Sequence, residues 1–204
     1  MSPRSEKPSD GSAEWSGGAS DQFEVGLCDG SRVSLRSPVP EDAEALLGYL
    51  DRVRRESDFL QFGPQDNLPT VEQEREWIKG ATLAPTSRQI LAEADGAPVA
   101  LAGLHGSAAF AKTAHRASLG ISVRADWQGR GLGRWLMNDL VEWARANPSL
   151  DLLTLSVYDG NDRARVLYAS LGFVVDGVTP GAIRGAEGAA VDEVHMSLWT
   201  GAER

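Results

Sequence analysis

The 204-residue chain is 42% hydrophobic and 24% charged, a composition that builds one globular core of ordinary size. A net charge of −9 and a pI near 4.8 argue against nucleic acid as a partner, because such proteins carry a basic patch. No stretch is long and apolar enough to span a membrane. One cysteine, Cys28, excludes an internal disulfide and suits a reducing cytoplasm, and one Cys with three scattered His offers no metal-ligand spacing. The acidic balance fits a protein that attracts cationic amines, and equally one that is merely soluble.

Residues 1–22 are rich in Ser, Gly, Asp, Glu and Lys, with Trp15 the one large apolar group after the initiator. Such a segment buries too little surface to offset its ordering entropy and is expected to be disordered, leaving 23–204 as a single domain. Phe23 to Leu27 and Arg32 to Arg36, joined across Asp29-Gly30, predict a short hairpin. Pro40-Glu41-Asp42 opens a first helix, whose buried stripe is expected at Ala45, Leu46, Tyr49, Leu50 and Val53. Phe59 to Leu68, with Phe62-Gly63-Pro64, breaks the helical pattern. Thr70 and Gln73 then form a capping box for a second helix with Trp77 and Ile78 inside. Ile90 to Ala94 and Val99 to Leu104 predict two strands on a tight Asp95-Gly96 turn.

The next stretch is the most informative. Leu119, Ile121 and Val123 alternate with Ser118, Gly120 and Ser122, as in a strand with one buried face. From Leu132 the apolar residues change to helical spacing at Leu132, Leu136 and Leu140. Between them stands Gln128-Gly129-Arg130-Gly131-Leu132-Gly133. Glycines let a backbone approach a ligand closely, and the free amides and dipole at a helix start attract an anion. The loop is not a P-loop, since Arg134-Trp135 replaces Lys-Ser/Thr after the last glycine, and the glycine spacing misses the dinucleotide fingerprint. Alone, Gln-x-x-Gly-x-Gly fits a phosphate cradle and a plain strand-to-helix turn equally well.

A second strand, Leu152 to Tyr158, leads into Asn161-x-x-Ala164-x-x-Leu167-Tyr168-x-x-Leu171-Gly172-Phe173. The two motifs, in this order and on these elements, resemble the GNAT superfamily of N-acetyltransferases over roughly Arg32 to Trp199. The resemblance implies an α/β (α+β) fold: a central mixed, mostly antiparallel twisted sheet, splayed between its fourth and fifth strands, with helices on both faces. It implies acetyl-coenzyme A as cosubstrate and no metal. Ile121, Ser122 and Val123 would pair with the pantetheine arm through their backbone. Gln128, Gly129, Arg130, Gly131, Leu132, Gly133 and Arg134 would surround the pyrophosphate, one of the two arginines being a surface charge. Asn161 would touch the cofactor, or cap its helix, or both. Tyr168 would protonate the departing thiolate, a task suited to a phenol with an ordinary pKa of about 10; its other reading is a packed core aromatic.

The acceptor side is less defined. The helix-loop-helix would wall it, so Phe59, Leu60 and Phe62 are candidates for substrate contact or for packing under the sheet. An alkylammonium, with a pKa of about 10, must lose a proton before it attacks. Where many relatives carry a strand glutamate, this chain has only Ser118, Gly120 and Ser122. His105, His115, Asp192, Glu193 and His195 are the other candidates for the base, beside removal through ordered water. Arg184 to Met196, and His115 to Val123, are similar to a bacterial subgroup that acetylates small amino acids and related amines. In that subgroup's pattern Asp192 or Glu193 would hold the acceptor's ammonium or a neighbouring backbone amide, edge-strand charge being the alternative.

The expected activity is therefore acetyl transfer to a primary amine of a small molecule by direct attack in a ternary complex. The alternatives are a non-catalytic acyl-coenzyme A-binding module, or an acetyltransferase of protein N-termini or lysines. A homodimer through the C-terminal strands is what the resemblance suggests.

Overall fold

The computed structural model describes residues 22–107, 110–185 and 188–201. The segment expected to be disordered, 1–22, lies outside them except for Gln22, whose Nε2 donates to Ser34 Oγ at 2.6 Å. Ala186 and Glu187 of the C-terminal stretch also lie outside the described residues.

All the described strands join one eight-stranded sheet in the order β1-β2-β3-β4-β5-β6-β8-β7. Strands β1 (Phe23–Gly26), β2 (Arg32–Arg36), β3 (Arg88–Ala94), β4 (Ala97–Gly106) and β5 (Arg116–Val123) form an antiparallel meander. Strand β6 (Leu152–Tyr158) pairs parallel to β5, and β8 (Ala190–Trp199) lies between β6 and the outer β7 (Val174–Arg184). The Asp95-Gly96 turn has φ of 50° and 75°, the positive pair that a tight hairpin requires.

Helix α1 (Ala43–Glu56) follows a short 3-10 turn at Pro40–Asp42, and α2 (Val71–Leu83) carries the expected box. Gln73 N donates to Thr70 Oγ1 at 3.2 Å, and Thr70 N to Gln73 Oε1 at 2.8 Å. The stripe of α1 is corrected at one end: Ala43 is buried and Ala45 is exposed, because helical spacing puts Ala43 on the face of Leu46 and Val53 and carries Ala45 round to its edge. In α2 Ile78 is buried as expected, but Trp77 remains 46% exposed at the rim of a cleft. Helices α1 and α2 pack Leu46, Tyr49, Val53 and Ile78 against Leu91 on one sheet face. Helix α3 (Leu132–Ala146) packs Leu136, Met137, Leu140 and Val141 against Ile90, Ala102 and Leu104 on the other. Neighbouring β3 and β4 residues thus alternate between two cores, as a strand buried on both faces must.

Two ion-pair groups fix this arrangement. Arg36 bridges Asp42, at 2.6 and 2.8 Å, and Glu93, at 2.8 and 2.9 Å, joining β2, the entry to α1 and β3. Arg88 donates to Asp139 at 2.9 Å with both side chains nearly buried, and so ties β3 to α3. Helix α4 (Asp162–Ser170) adds Tyr168 to the larger core.

Candidate active site

The glycine-rich segment is a backbone cradle. Gly129 and Gly131 have φ of 81° and 88°, a left-handed conformation that strains any side-chain-bearing residue. Gly131 is the N-cap of α3, and the first helical amide with a partner is Trp135 N, which donates to Gly131 O at 3.1 Å. Among the described residues the amides from Gly129 to Arg134 find no protein acceptor. A run of unpaired N–H groups at the positive end of a helix is suited to an anion.

The loop is held from behind by the β1–β2 turn. Cys28 N donates to Arg130 O at 3.1 Å, and Arg130 pairs with Asp29 at 2.9 Å. Arg130 also donates to Asp126 O at 2.6 Å and lies 4.7 Å over the Trp127 ring. The two arginines therefore separate. Arg130 is spent on bracing and does not line the cleft, whereas Arg134 lines it and has no carboxylate partner among the described residues. The Leu132 side chain is 1% exposed in the core, so only its amide faces the cradle side.

Beside the cradle the sheet opens. Strands β5 and β6 pair only from Arg116–Leu152 to Ser118–Thr154 and then diverge. Counted along the chain the splay falls between the fifth and sixth strands, since β1 adds one to the count. Ser107 N donates to Arg116 O and Arg124 N to Val99 O, so the even-numbered peptide groups of β5 turn towards β4. Those of Leu119, Ile121 and Val123 therefore turn towards the splay. Ser122 has a different part from the one expected, because its peptide groups face β4. Its carbonyl accepts from the Tyr49 hydroxyl at 2.8 Å, and its own hydroxyl lies 2.8 Å from the same oxygen. Gln128 is likewise a tie: its Nε2 donates to Val123 O at 2.9 Å, and its Oε1 accepts from Arg163 Nη1 at 2.9 Å.

Asn161 caps α4 through Oδ1, which accepts from Ala164 N at 3.2 Å, and its Nδ2 remains available in the cleft. Two turns on, Tyr168 is 8% exposed and packs its ring 6.2 Å from that of Phe173. Its hydroxyl makes no hydrogen bond among the described residues, and the residue lines the cleft. Burial pushes its pKa up to about 12.

Cradle, splay and Tyr168 share one cleft of about 1220 Å³ with the α1–α2 loop. Phe59, Leu60, Phe62 and Trp77 stand on its α1–α2 side. Of the candidates for a base, His105 and His195 line the cleft, but His115, Asp192 and Glu193 do not. Asp192 is turned to β7, where Oδ1 accepts from Gly181 N at 2.8 Å, and Glu193 stands opposite Tyr158 and Thr179 in the sheet. His105 sits 5.2 Å from the Trp77 ring, and burial lowers its pKa. His195 Nδ1 lies 3.0 Å from Ser156 Oγ, and Nε2 lies 2.8 Å from Thr179 Oγ1. Among the described residues no group of three or more His, Cys, Asp or Glu could hold a metal ion, and no helix is long and apolar enough to cross a membrane.

The family model described as acetyltransferase (GNAT) family matches residues 52–173, well over half of the chain, from the end of α1 to Phe173. The chain belongs to the GNAT acetyltransferase family. Solved structures agree. An acetyltransferase of the GNAT family from Streptococcus pneumoniae is 26% identical, with a TM-score of 0.78 over 82% of this chain and 99% of that one. A ribosomal-protein-alanine N-acetyltransferase from Brucella melitensis is 23% identical, with a TM-score of 0.69 over 81% and 98%. A phosphinothricin acetyltransferase from Sinorhizobium meliloti, solved with acetyl-coenzyme A, is 16% identical, with a TM-score of 0.70 over 82% and 88%. The last two likenesses establish the fold alone. No curated protein matches the chain.

Several residues of this GNAT site escaped the sequence. Arg163 stands two places after Asn161, and its Nη2 lies 3.8 Å from where a Gly129 Cβ would be, so it faces the cradle from α4. Ser156 and Gln89 line the cleft from β6 and β3. Only the alternation of each strand could have marked them, and alternation does not say which face meets a ligand.

Proposed function

We propose that this GNAT acetyltransferase works in the cytoplasm, moving the acetyl group of acetyl-coenzyme A to a primary amine of a small molecule. The observation that carries the reading is the cradle of unpartnered amides from Gly129 to Arg134, opening on the same cleft as the splay and Tyr168. A pyrophosphate fits that cradle, with Arg134 and Arg163 as flanking cations and the Asn161 amide beside them. The peptide groups of Leu119 and Ile121 are edge groups suited to an extended amide-bearing arm. When bound, acetyl-coenzyme A supplies a thioester carbonyl open to attack by a neutral amine.

The chain's own groups manage the protons. Tyr168 keeps its proton at neutral pH and donates it from its hydroxyl to the departing sulfur. The ammonium's proton is accepted through Ser156 by His195. With the neutral ring protonated at Nε2, that nitrogen donates to Thr179 Oγ1, and Nδ1 accepts from the Ser156 hydroxyl. This relay stands in for the missing strand carboxylate. On the α1–α2 side, Phe59, Phe62 and Trp77 supply an apolar wall that suits the alkyl part of a small amine.

The test is thiol release from acetyl-coenzyme A across amino acids, alkylamines, polyamines and peptides, with His195→Ala beside the wild type. Turnover with small amines is expected. In His195→Ala, kcat is expected to fall by about a hundredfold with KM little changed, and to recover in part with added imidazole. Preference for peptides alone would overturn the small-amine reading, and an unaltered His195→Ala would remove the relay.

Assembly follows from the outer strand. β7 exposes Val174 by 62% and both Val175 and Val178 by 51%, and its outer edge pairs with no other described strand. We propose this edge as the seam of a homodimer. Light scattering should give twice the chain's 21.8 kDa, and the monomer mass would refute it.

A further inference from the structure

The two strands that flank the splay are polar on the face turned to the cleft, where central strands are ordinarily apolar. On β5 Ala117 and Leu119 are buried in the larger core, whereas Arg116, Ser118 and Gly120 are exposed. Strand β6 repeats the pattern, with Leu153 and Leu155 in that core and Thr154 and Ser156 lining the cleft. Ser118 stands opposite Thr154 at the last paired rung before the splay. Helices α1 and α2 cover β3 and β4 through Leu91 and Leu101 and leave this strip of β5 and β6 to the cleft. A polar strip kept clear of the helices is suited to a ligand with polar groups of its own.

The strip is bounded on two sides. Towards β4 a Cβ on Gly103 would lie 2.7 Å from His105 Nε2, so the imidazole covers that glycine, and its ring stands 5.2 Å from Trp77. Towards the end of β5 Ser122 is held by the Tyr49 hydroxyl. Above Gly120 the space is open, since a Cβ there would meet nothing within 4 Å. From Gly120 the exposed side of β5 runs back over Ser118 to Arg116. Three described arginines line the cleft. Arg134 and Arg163 stand at the cradle, the latter bonded to Gln128. Arg116 stands at the opposite end of β5, with no hydrogen bond or ion pair from its side chain among the described residues.

We infer that Arg116 is a specificity-determining residue, which binds a carboxylate at the far end of the acceptor amine. A guanidinium matches the two oxygens of a carboxylate with paired donors. The amine end belongs at the relay of Ser156 and His195, past the last paired rung, and Arg116 lies on the other side of that rung. From Gly120 to Arg116 the strand rises about 13 Å, and an arginine stem leaning back over Ser118 shortens the span to about 7 Å. An extended ω-amino acid with five methylenes covers that distance, and an α-amino acid does not. Glu56, Asp58, Asp162 and Asp176 are the described carboxylates that line the cleft, and none lies on the strip. Glu56 is held by Arg52 and by Ala125 N, and Asp162 opens α4 beside the cradle. Asp58 and Asp176, from the α1–α2 loop and β7, favour the approach of an ammonium. A zwitterion meets both signs, whereas a diamine would set its second cation against Arg116. The inference rests on the acetyltransfer reading and narrows its substrate class.

Four amines of matched length test it: 6-aminohexanoate, 6-aminohexanamide, hexylamine and 1,6-diaminohexane, with acetyl-coenzyme A as donor. The wild type should favour the carboxylate over the amide and hexylamine by about tenfold in kcat/KM, chiefly through KM, and less so in high salt. Glycine, with the same charges on a shorter span, should be poorer than 6-aminohexanoate. In Arg116→Gln the carboxylate-to-amide ratio should fall to about one, and in Arg116→Glu the diamine should become the preferred acceptor. Arg116 is exposed, so the melting temperature and the affinity for acetyl-coenzyme A should stay near wild type in both variants. Binding gives a readout apart from turnover, because unreactive hexanoate should bind the wild type and not Arg116→Gln in ligand-observed NMR. Equal ratios in wild type and Arg116→Gln, no hexanoate binding, or glycine as the better acceptor overturns the inference. A wild-type preference for the diamine also overturns it and moves the recognition to Asp58 and Asp176. Failure of acetyl-coenzyme A to bind in calorimetry is a separate outcome, which sinks the acetyltransfer reading itself.

Discussion

Gly131→Asp is expected to weaken acetyl-coenzyme A binding by a hundredfold or more while leaving a folded protein. Two effects are at work and a second variant separates them. Any Cβ at this position takes a φ of 88° and comes 2.9 Å from Cys28 Sγ. The sulfur can rotate away, so the lasting stability cost is the backbone strain, roughly 1–2 kcal/mol. Gly131→Ala carries that strain alone. Aspartate tolerates the left-handed region somewhat better than alanine, so its melting temperature should drop no further, a few degrees in a chain of this size. Its carboxylate, however, stands among the amides that would face a pyrophosphate. The hundredfold loss corresponds to about 2.8 kcal/mol, more than strain transmitted to the loop explains. Calorimetric titration and thermal melts of both variants decide the matter. Equal, small losses of affinity in the two would mean that no anion sits on this cradle.

Tyr168→Phe is expected to lower kcat by about a hundredfold or more while KM for the amine and the affinity for acetyl-coenzyme A stay near wild type. The substitution is unusually clean. The ring keeps its contact with Phe173 at 6.2 Å, and no described residue loses a hydrogen bond to the hydroxyl. The melting temperature should therefore move little. Burial pushes the Tyr168 pKa up to about 12, so the phenol holds its proton across the neutral and mildly alkaline range. The sign follows directly: an acid with a raised pKa loses its proton only as pH climbs through that value. Wild-type kcat should show no alkaline fall from this group below about pH 11. An alkaline limb near pH 9 that vanishes in Tyr168→Phe would refute the assignment. A kcat unchanged by the substitution would make Tyr168 a core aromatic and nothing more.

The legible parts of this protein were those whose signals are local. Strand β6 lies at Leu152–Tyr158 and helix α3 starts at Leu132, both as their periodicity implies. The Thr70 capping box and the Asp95-Gly96 turn formed as expected, since a cap or a tight turn is decided within a few residues. The two motifs that resemble the GNAT family carry the fold for a similar reason: each is a continuous run bound to one element. Ala45 and Trp77 show where local reasoning ends. A helical stripe marks which residues share a face, but packing against the sheet decided that Ala43 rather than Ala45 met the core, and the cleft beside α2 left Trp77 exposed.

By itself, then, the sequence determined the order of elements, the glycine run at the start of α3 and the place of the tyrosine on α4, because short-range backbone preferences and hydrophobic period specify them. Tertiary structure decided the division of labour within the site. Arg130 braces the loop because the β1–β2 turn, about a hundred residues earlier, brings Asp29 to it, and Arg134 is left facing the cleft. His195 rather than Asp192 or Glu193 meets the cleft because the β6–β8 register sets it opposite Ser156. Strand pairing is long-range and a shift of one residue reverses every face, so no window along the chain contains that information.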